Sequence, residues 1–407
     1  MQNNIMTNLP QGWKMETLGE ILSSDKYSIK RGPFGSALKK SFFIEKGIRI
    51  FEQYNPINND PHWKRYFISH EKFQELEAFK ATEGDLLISC SGTLGKIVEL
   101  PKDTEMGIIN QALLKIRLNN IKILNSYFIY YFNSPIMQEK ILESTLGSAI
   151  KNIASVKILK QIEIPLPPLK EQERIVGILD ESFAKIDKSI KILEQDLLNL
   201  DELMQSALQK AFNPLKDNAK ENYKLPQSWE WKSLEEISEN ISAGGDKPKN
   251  CTESKTAKNQ IPVYANGVNN NGLVGYTDKA TIIKPSLTIS ARGTIGFVCI
   301  RKEPYFPIVR LISLISCENI LCLHYLYFCL NFFIAKGEGS SIPQLTIPKF
   351  KSLQIPLPPL KEQEQIAEHL DFIFEKTKAL KELYTKELKD YEELKQSLLD
   401  KAFKGEL

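Results

Sequence analysis

The chain has 407 residues, of which 42% are hydrophobic and 25% charged, and its formal net charge is +3. This composition supplies enough apolar side chains for two or three domains, and it excludes a disordered or collagen-like chain. The six cysteines include no Cys-x-x-Cys pair, which predicts reduced thiols in a cytoplasmic protein without a zinc site. The most apolar stretch, residues 320–334, is shorter than the roughly 20 residues of a membrane span.

The first distinctive segment is a basic loop. Residues 27–44 contain four basic side chains and no acidic one. Lysine and arginine in such a loop can bind phosphates, glycine allows a close backbone approach, and serine can lie near a base edge or a phosphate. The candidates are Lys30, Arg31, Gly32, Gly35, Ser36, Lys39 and Lys40. A solvated loop is the alternative interpretation.

The next segments predict a mixed α/β module. Short β-rich runs at residues 85–89 and 287–290 lie between glycine and asparagine clusters, which favours hairpins and irregular loops. The Tyr- and Phe-rich segments 126–142 and 323–336 each predict one packed helix.

The chain repeats itself. Residues 164–173, Ile-Pro-Leu-Pro-Pro-Leu-Lys-Glu-Gln-Glu, recur without change at 355–364, Lys-Ala-Phe at 210–212 recurs at 401–403, and Leu-Pro-Gln-Gly-Trp at 9–13 is matched at 225–229. The order is therefore A-B-A′-B′. The predicted boundaries are a first α/β module at 1–165, a first helical region at 166–213, a linker at 214–224, a second α/β module at 225–356 and a second helical region at 357–407.

Both helical regions carry a heptad pattern that predicts a coiled-coil seam. The seam positions are Leu179, Phe183, Ile186, Ile190, Leu193, Leu197 and Leu200 in the first region, and Ile366, Leu370, Ile373, Leu380, Tyr384, Tyr391, Leu394 and Leu398 in the second. Two seams of equal length in one chain most simply pair with each other. One face of an ordinary bundle helix is the alternative.

Further polar residues of the two α/β modules are candidates for binding: the counterpart of the basic loop in the second module, two matched glycine turns, several amides and two matched Gly-Ser segments. The candidates are Ser91, Thr93, Lys96 and Gln111 with Ser148, Lys151 and Asn152 in the first module, and Lys247, Lys249, Asn266, Asn269, Asn270, Arg292 and Thr294 with Ser340, Ser341 and Gln344 in the second. Arg292 could pair bidentately with guanine, and the amides could read adenine edges. Structural hairpins and ordinary turn residues are the alternatives.

Signatures of catalysis are missing. Residues 59–63 approach the Asp/Asn-Pro-Pro-aromatic tetrapeptide of an amino methyltransferase, but His62 stands where the second proline belongs, and no glycine-rich cofactor turn is present. Residues 92–96 resemble the end of a phosphate-binding loop, but Cys90 and Ile97 replace its first glycine and its hydroxyl residue. The four histidines have no metal-ligand spacing. We therefore expect neither catalytic residues nor a metal site.

The two copies of the ten-residue repeat, each opening a heptad helix and each following an α/β module that starts with Leu-Pro-x-x-Trp, resemble the specificity subunits of type I restriction-modification systems. The resemblance covers essentially the whole chain. It implies an α+β fold in which two α/β target recognition domains are separated by two long helices, which form an antiparallel coiled coil with an internal pseudo-twofold repeat. Each recognition domain would read one half of a bipartite target in double-stranded DNA.

The resemblance also implies partners. Two modification subunits would bind S-adenosylmethionine and methylate adenine, and two further restriction subunits would use ATP and Mg for translocation and cleavage. This chain would hold no cofactor, and its helices would set the spacer and dock the modification subunits. The alternative is a coiled-coil scaffold that binds partner proteins without reading DNA.

Overall fold

A computed structural model describes residues 9–143, 153–212, 225–334, 337–338 and 345–407. Within these ranges, strands and short helices precede each of two long helices, so the predicted α+β fold with two α/β modules is confirmed. The residues group into a first unit, 1–192 with 386–407, and a second unit, 193–385. Each long helix contributes to both units, because the division between units falls inside the helices. The boundaries predicted from the repeats stay a prediction.

The described residues of the first unit form ten strands and five short α-helices before the first long helix. The strands are β1 (Lys14–Thr17), β2 (Ile29–Arg31), β3 (Ile48–Phe51), β4 (Phe67–Ile68), β5 (Lys80–Ala81), β6 (Leu86–Ser89), β7 (Ile97–Glu99), β8 (Gly107–Ile109), β9 (Leu113–Ile116) and β10 (Glu163–Leu166). The helices are α1 (Tyr54–Ile57), α2 (His70–Glu75), α3 (Asn125–Asn133), α4 (Pro135–Glu143) and α5 (Val156–Leu159), and the long helix α6 (Leu169–Phe212) follows.

Two four-stranded sheets build the first unit, in the orders β2-β9-β6-β7 and β4-β3-β8-β5. All four residues of β6 and of β9 are buried, which is typical of strands covered on both faces. Strand β1 pairs antiparallel with β10, with Lys14 opposite Leu166. This pairing brings the beginning of the α/β module to the head of helix α6.

The second unit repeats this design with different loops. Its strands are β11 (Glu230–Ser233), β12 (Ser238–Ala243), β13 (Ile261–Tyr264), β14 (Leu273–Thr277), β15 (Ser286–Ser290), β16 (Thr294–Ile295), β17 (Val298–Arg301), β18 (Phe306–Pro307), β19 (Leu311–Ser316), β20 (Gly337–Glu338) and β21 (Gln354–Leu357). Its helices are α7 (Leu234–Ile237), α8 (Leu323–Phe333) and α9 (Ile347–Lys351), followed by the long helix α10 (Leu360–Lys404).

The strand orders of the second unit follow those of the first, except that its second sheet has three strands where the first unit has four. They are β12-β19-β15-β17 and β14-β13-β18, and β11 pairs antiparallel with β21 with Glu230 opposite Leu357. Strands β3 and β8 are parallel, and so are their counterparts β13 and β18. The internal repeat predicted from the sequence is therefore a repeat of topology as well as of motifs.

The aromatic segment at 126–142 differs from the prediction. It forms two helices, α3 and α4, which meet at Ser134 and Pro135. Proline lacks the N–H that a continuing helix needs and fits the first turn of a new one. Its counterpart at 323–336 forms the single helix α8, which ends at Phe333.

The long helices pair antiparallel in each unit, as predicted. In the first unit, Lys395 Nζ lies 2.5 Å from Asp187 Oδ1, and Arg174 Nη2 donates to the Leu407 carbonyl at 2.9 Å. In the second unit, Lys381 pairs with Asp201. The number of the α10 residue falls as that of the α6 residue rises, so the helices run in opposite directions.

The seam of the helix pair differs from the heptad prediction at two positions of α10. Leu380 and Leu394 are 38% and 45% exposed. The neighbouring Lys381 and Lys395 are half-buried instead, and their ammonium groups reach aspartates of α6. Their long aliphatic stems cover apolar surface while the charge stays at the rim. Of the other predicted positions, Leu179, Ile186, Leu193 and Leu370 are buried, and Phe183, Ile190, Leu197, Leu200, Ile366, Ile373, Tyr384, Tyr391 and Leu398 are half-buried.

The Lys-Ala-Phe repeat places an aromatic ring in each core. Phe403, at the end of α10, is buried in the first unit, where its ring centroid lies 5.0 Å from that of Tyr131. Phe212, at the end of α6, is buried in the second unit, 5.5 Å from the ring of Tyr325. Each α/β module is therefore completed by the end of the other repeat's helix.

A buried glutamine joins each α/β module to its own long helix. Gln172 accepts a hydrogen bond from Leu124 N at 2.9 Å and donates to the carbonyls of Lys122 and Pro167 at 2.9 Å. Gln363 makes the equivalent three bonds to Cys322 N and to the carbonyls of Ile320 and Pro358. Both side chains are fully buried, so this glutamine explains part of the ten-residue identity.

Candidate nucleic-acid interface

Four loops of the first unit meet at one edge of its two sheets. Strands β3 and β8 are parallel, so the loops that follow them, 52–66 and 110–112, start at the same edge. Strands β2 and β6 both end opposite the start of β9, which brings loops 32–44 and 90–96 to that edge. We call these four loops the first loop edge.

Backbone hydrogen bonds hold the first loop edge together. Asn110 N donates to the Phe51 carbonyl at 3.0 Å, and Cys90 N donates to the Ala112 carbonyl at 2.7 Å. Gly32 N donates to the Leu113 carbonyl at 2.9 Å. The loop beginnings are thus fixed by the sheets, whereas their tips are free to vary in sequence.

The second unit has the same arrangement, in loops 244–260, 265–272, 291–296 and 308–310, which we call the second loop edge. Ile308 N donates to the Tyr264 carbonyl at 2.9 Å, and Ala291 N donates to the Arg310 carbonyl at 3.0 Å. Gly244 N donates to the Leu311 carbonyl at 2.8 Å. These bonds are the counterparts of the three in the first unit.

Gly32 and Gly244 are required by the protein's own packing. A Cβ built on Gly32 would lie 1.8 Å from the Asn110 carbonyl oxygen, and one on Gly244 would lie 2.3 Å from that of Ile308. The sequence predicts that Gly32 allows a nucleic acid to approach the backbone closely. In the structure, the neighbouring turn at Asn110 fills the space beside Gly32. Gly35 differs, because it has φ of +61° and nothing within 4 Å of its Cβ position.

A cleft of about 500 Å³ opens at the first loop edge. It brings together three predicted residues: Arg31 at the end of β2, and Ser91 and Gln111 from two different loops. Phe34 also lines it, with 61% of its surface exposed and the Arg31 guanidinium 5.6 Å from its ring centroid. An exposed aromatic ring beside an arginine offers an apolar surface and hydrogen-bond donors to one ligand.

Lys30 lies apart from this group. Successive residues of a strand face opposite sides of the sheet, and Lys30 directs its ammonium group to the rings of Tyr27 and Phe79, at 5.4 and 5.2 Å. The remaining predicted residues of this edge, Ser36, Lys39, Lys40, Thr93 and Lys96, are exposed.

The loop after β3 was missed by the sequence analysis as part of this edge. It is built on the buried Arg49, whose Nη2 donates to the Pro61 and Trp63 carbonyls at 2.9 and 2.7 Å. Burial lowers the pKa of Arg49 to about 10. The rings of Tyr54 and Trp63 stack at 4.3 Å on the loop. The signal in the sequence is the aromatic and basic run at 62–66, which only partly overlaps residues 59–63, the segment compared with the methyltransferase tetrapeptide.

Glu52 begins that loop as a half-buried acid. Desolvation raises the pKa of its carboxyl group, and the positive charge of Arg65 partly opposes this rise. The backbone N–H of Glu52 is held by Asn55 Oδ1 at 2.9 Å. The first loop edge therefore contains two acids, Glu52 and Asp60, among arginine, lysine and amide groups. Asp60 Oδ1 accepts from the backbone N–H groups of His62 and Trp63 at 3.0 Å.

The second loop edge is anchored in a similar way by a buried arginine. Arg301 stacks on the ring of Tyr264 at 3.6 Å and donates from Nη2 to the Asn271 carbonyl at 2.6 Å. Asn270 and Asn271 have φ of +48° and +52°, a conformation that asparagine tolerates. The asparagine loop 269–272 is therefore held in a defined shape.

Asn266 has both ends of its amide engaged. Its Nδ2 donates to the Arg292 carbonyl at 2.6 Å, and its Oδ1 accepts from Ala291 N at 3.3 Å. This residue positions the turn that carries Arg292. The predicted residues Lys247, Lys249, Asn269, Asn270 and Arg292 are exposed, and Thr294 is half-buried.

Six predicted residues lie outside the described ranges. They are Ser148, Lys151, Asn152, Ser340, Ser341 and Gln344.

The described part of the chain contains no cluster of His, Cys, Asp and Glu that could hold a metal ion. All six cysteines are free, and burial raises the pKa of the Cys90 thiol to about 12. No helix within the same ranges combines the length and apolarity needed to cross a membrane.

Known proteins resemble this chain over most of its length. The family model for the type I restriction modification DNA specificity domain matches residues 10–196 and again 226–390. A Mycoplasma pneumoniae protein named as a type I specificity subunit is 32% identical over 224 residues, which are 54% of this chain and 57% of that relative. The chain thus spans little more than half the length of this relative.

Two further proteins are matched over more of their length. The MjaVIII restriction enzyme specificity subunit of Methanocaldococcus jannaschii is 25% identical over 358 residues, covering 80% of this chain and 79% of that subunit. A solved chain from the type I R-M system, in a structure concerned with complex assembly and conformational transition, has a TM-score of 0.79 at 21% identity. The match covers 98% of this chain and all of that one, so the fold is shared. With two family-model matches that together span most of its residues, this chain belongs to the family of type I restriction-modification DNA specificity domains.

Proposed function

We propose that this chain is the DNA-reading subunit of a type I restriction-modification complex. The first α/β module, residues 1–165, reads one half of a bipartite target, and the second module, residues 225–356, reads the other. The observation that carries this proposal is the pair of loop edges, which share their backbone hydrogen bonds and differ in their exposed side chains. A common frame with variable contacts suits two readers of different DNA sequences.

The chemistry of the loop edges suits double-stranded DNA. Arginine, lysine, asparagine and glutamine side chains are the usual donors to phosphates and to base edges in the major groove. The first loop edge offers Arg31, Lys39, Lys40 and Gln111, and the second offers Lys247, Lys249 and Arg292. Such contacts bind in a salt-dependent manner, because each neutralised phosphate releases counterions.

The exposed part of the ten-residue repeat is the proposed docking surface for partner subunits. Gln172 and Gln363 have internal roles, but Lys170 and Glu173 are exposed and have identical, exposed counterparts at Lys361 and Glu364. Identity at exposed positions is not required by folding. Two copies of one partner protein need two equivalent surfaces, and two modification subunits are such a partner.

We assign methylation to the modification subunits, which bind S-adenosylmethionine, and cleavage to restriction subunits that use ATP and Mg when they are present. This chain then selects the site without catalysing a reaction, in the cytoplasm where the DNA lies. We assign the spacer role to the long helices, whose length would set the number of unread base pairs between the half-sites.

The test is a genome-wide map of N6-methyladenine in a host that lacks other methyltransferases. The neighbouring modification subunit is expressed with and without this chain. We expect two short sequence blocks separated by a constant gap, methylated only when the chain is present. If an intact complex with an active modification subunit produced no such motif, the chain would instead be a scaffold that binds proteins.

The role of the helices has its own test. One heptad is added to α6 and one to α10, at facing positions, so that the seam stays continuous. We expect the gap between the half-sites to lengthen while both blocks keep their sequences. A methylated motif with an unchanged gap would contradict the spacer role and leave DNA reading intact.

A further inference from the structure

The turn between β18 and β19 lies in the middle of the second loop edge. Ile308 N is bonded to the end of β13, and Gly245 N donates to the Pro307 carbonyl at 3.2 Å. The Arg310 carbonyl accepts from Ala291 N, next to Arg292. This turn and the end of β18 are therefore bonded to the end of β13 and to two of the loops that carry the proposed DNA contacts.

Arg310 has an unusual backbone conformation for its residue type. Its φ is +73°, in the left-handed region that favours glycine. Among the described residues other than glycine, only Asn59, Asn270, Asn271 and Arg310 have positive φ. Asparagine tolerates this region because its short side chain can bond locally, whereas arginine has no such compensation.

The turn itself does not need an arginine. In the first unit, the equivalent residue is Ala112, whose carbonyl accepts the equivalent bond from Cys90 N at 2.7 Å, and its φ is not positive. The first unit thus closes the same turn with a small side chain in an ordinary conformation. An unfavourable backbone conformation that the fold does not require points to a role outside the folded chain.

The Arg310 side chain is exposed, and within the described ranges it makes no hydrogen bond or ion pair that would explain an arginine at this position. Arg292 is exposed on the adjoining turn. Two guanidinium groups are therefore carried by turns that are tied together by one backbone bond of 3.0 Å. Because a guanidinium presents two parallel donors in a plane, it matches the O6 and N7 acceptors of guanine.

We propose that Arg310 is a specificity-determining residue of the second α/β module, which pairs with a guanine in the half-site that this module reads. This inference rests on the proposed function, because it requires that the second loop edge faces DNA. The proposed role of Arg310 differs from that of Lys247 and Lys249 in the same edge, because their compact ammonium groups suit phosphates.

The experiment uses the complete complex with its modification subunit and compares Arg310→Lys and Arg310→Gly with the unchanged chain. Lysine keeps the charge but loses the bidentate geometry. Glycine also removes the side chain, and it suits the positive φ, so the melting temperature of this variant should stay the same or rise. Lys302→Ala is the matched control, because Lys302 is exposed at the other end of the sheet, after β17.

The expected result is a loss of discrimination at one guanine of the second half-site, by roughly 5- to 150-fold, with the first half-site unchanged. Lys302→Ala should leave both half-sites unchanged. An Arg310 variant that binds all sequences more weakly to the same extent, with a shallower salt dependence, would overturn base reading in favour of a phosphate contact.

An unchanged motif and an unchanged affinity in both Arg310 variants would overturn the inference and leave the proposed function standing. Failure of the proposed function itself is recognised separately, because the unchanged chain would then direct no bipartite methylation.

Discussion

The ring of Phe403 packs edge-on against the ring of Tyr131, with centroids 5.0 Å apart and planes at 77°. Tyr131 belongs to the first α/β module, and Phe403 ends the helix that follows the second. The first module is thus completed by residues more than 250 positions away in the chain, a separation that follows from the antiparallel pairing of the helices.

We expect Phe403→Ala to destabilise the first unit by about 3–5 kcal/mol, because it removes a fully buried aromatic side chain. Hydrogen exchange measured by residue should show increased exchange around helix α3. Phe212→Ala is the matched variant and should affect helix α8 instead. If Phe403→Ala increased exchange around α8 and not around α3, the crossed packing would be contradicted.

Two leucines of the helix pair test which of the predicted heptad positions belong to the observed seam. Leu179 is fully buried, so Leu179→Ala should lower the free energy of unfolding by about 2–5 kcal/mol. Leu394 is 45% exposed, so Leu394→Ala should change it by no more than about 0.5 kcal/mol. Both values can be measured by denaturant unfolding. Equal losses in the two variants would restore Leu394 to the seam.

Gly32 and Gly35 need glycine for different reasons. Gly32→Ala would place a Cβ 1.8 Å from the Asn110 carbonyl oxygen, so the turn would have to move. The Cβ of Gly35→Ala would meet no neighbouring atom, so its only cost is the positive φ, about 1–2 kcal/mol for a residue other than glycine. We expect Gly32→Ala to lower the thermal midpoint more than Gly35→Ala. The reverse order would show that backbone conformation outweighs the close contact.

Burial should protect one cysteine from alkylation. Because desolvation raises the pKa of Cys90 to about 12, the thiolate is a very small fraction at pH 8 in the folded chain. Unfolding returns the pKa towards its ordinary value, so the reactive form becomes more abundant. Mass spectrometry after iodoacetamide treatment should find Cys90 unlabelled in the native protein and labelled in denaturant. Rapid native labelling of Cys90, in a sample shown to be folded, would contradict this.

The amino-acid sequence by itself determined the features that depend on local or periodic patterns. The duplicated ten residues gave the two-module organisation and the start of each long helix, and the spacing of Leu179, Ile186 and Leu193 predicted the buried stripe of α6. The proline-free stretches between residues 169 and 212 and between 360 and 404 allowed uninterrupted helices. These signals can be read locally because helix formation depends on neighbours three and four residues apart.

Tertiary structure decided the features that depend on distant residues. The heptad favoured Leu394, but the facing helix supplies Asp187, and Lys395 turns to it instead. Gly32 is explained only by the turn at Asn110, almost eighty residues later, and the positive φ of Arg310 has no signature in the sequence. Local periodicity specifies which face of a segment is apolar. It does not specify which segment packs on that face or which polar groups surround each loop, because these depend on how the sheets bring distant segments together.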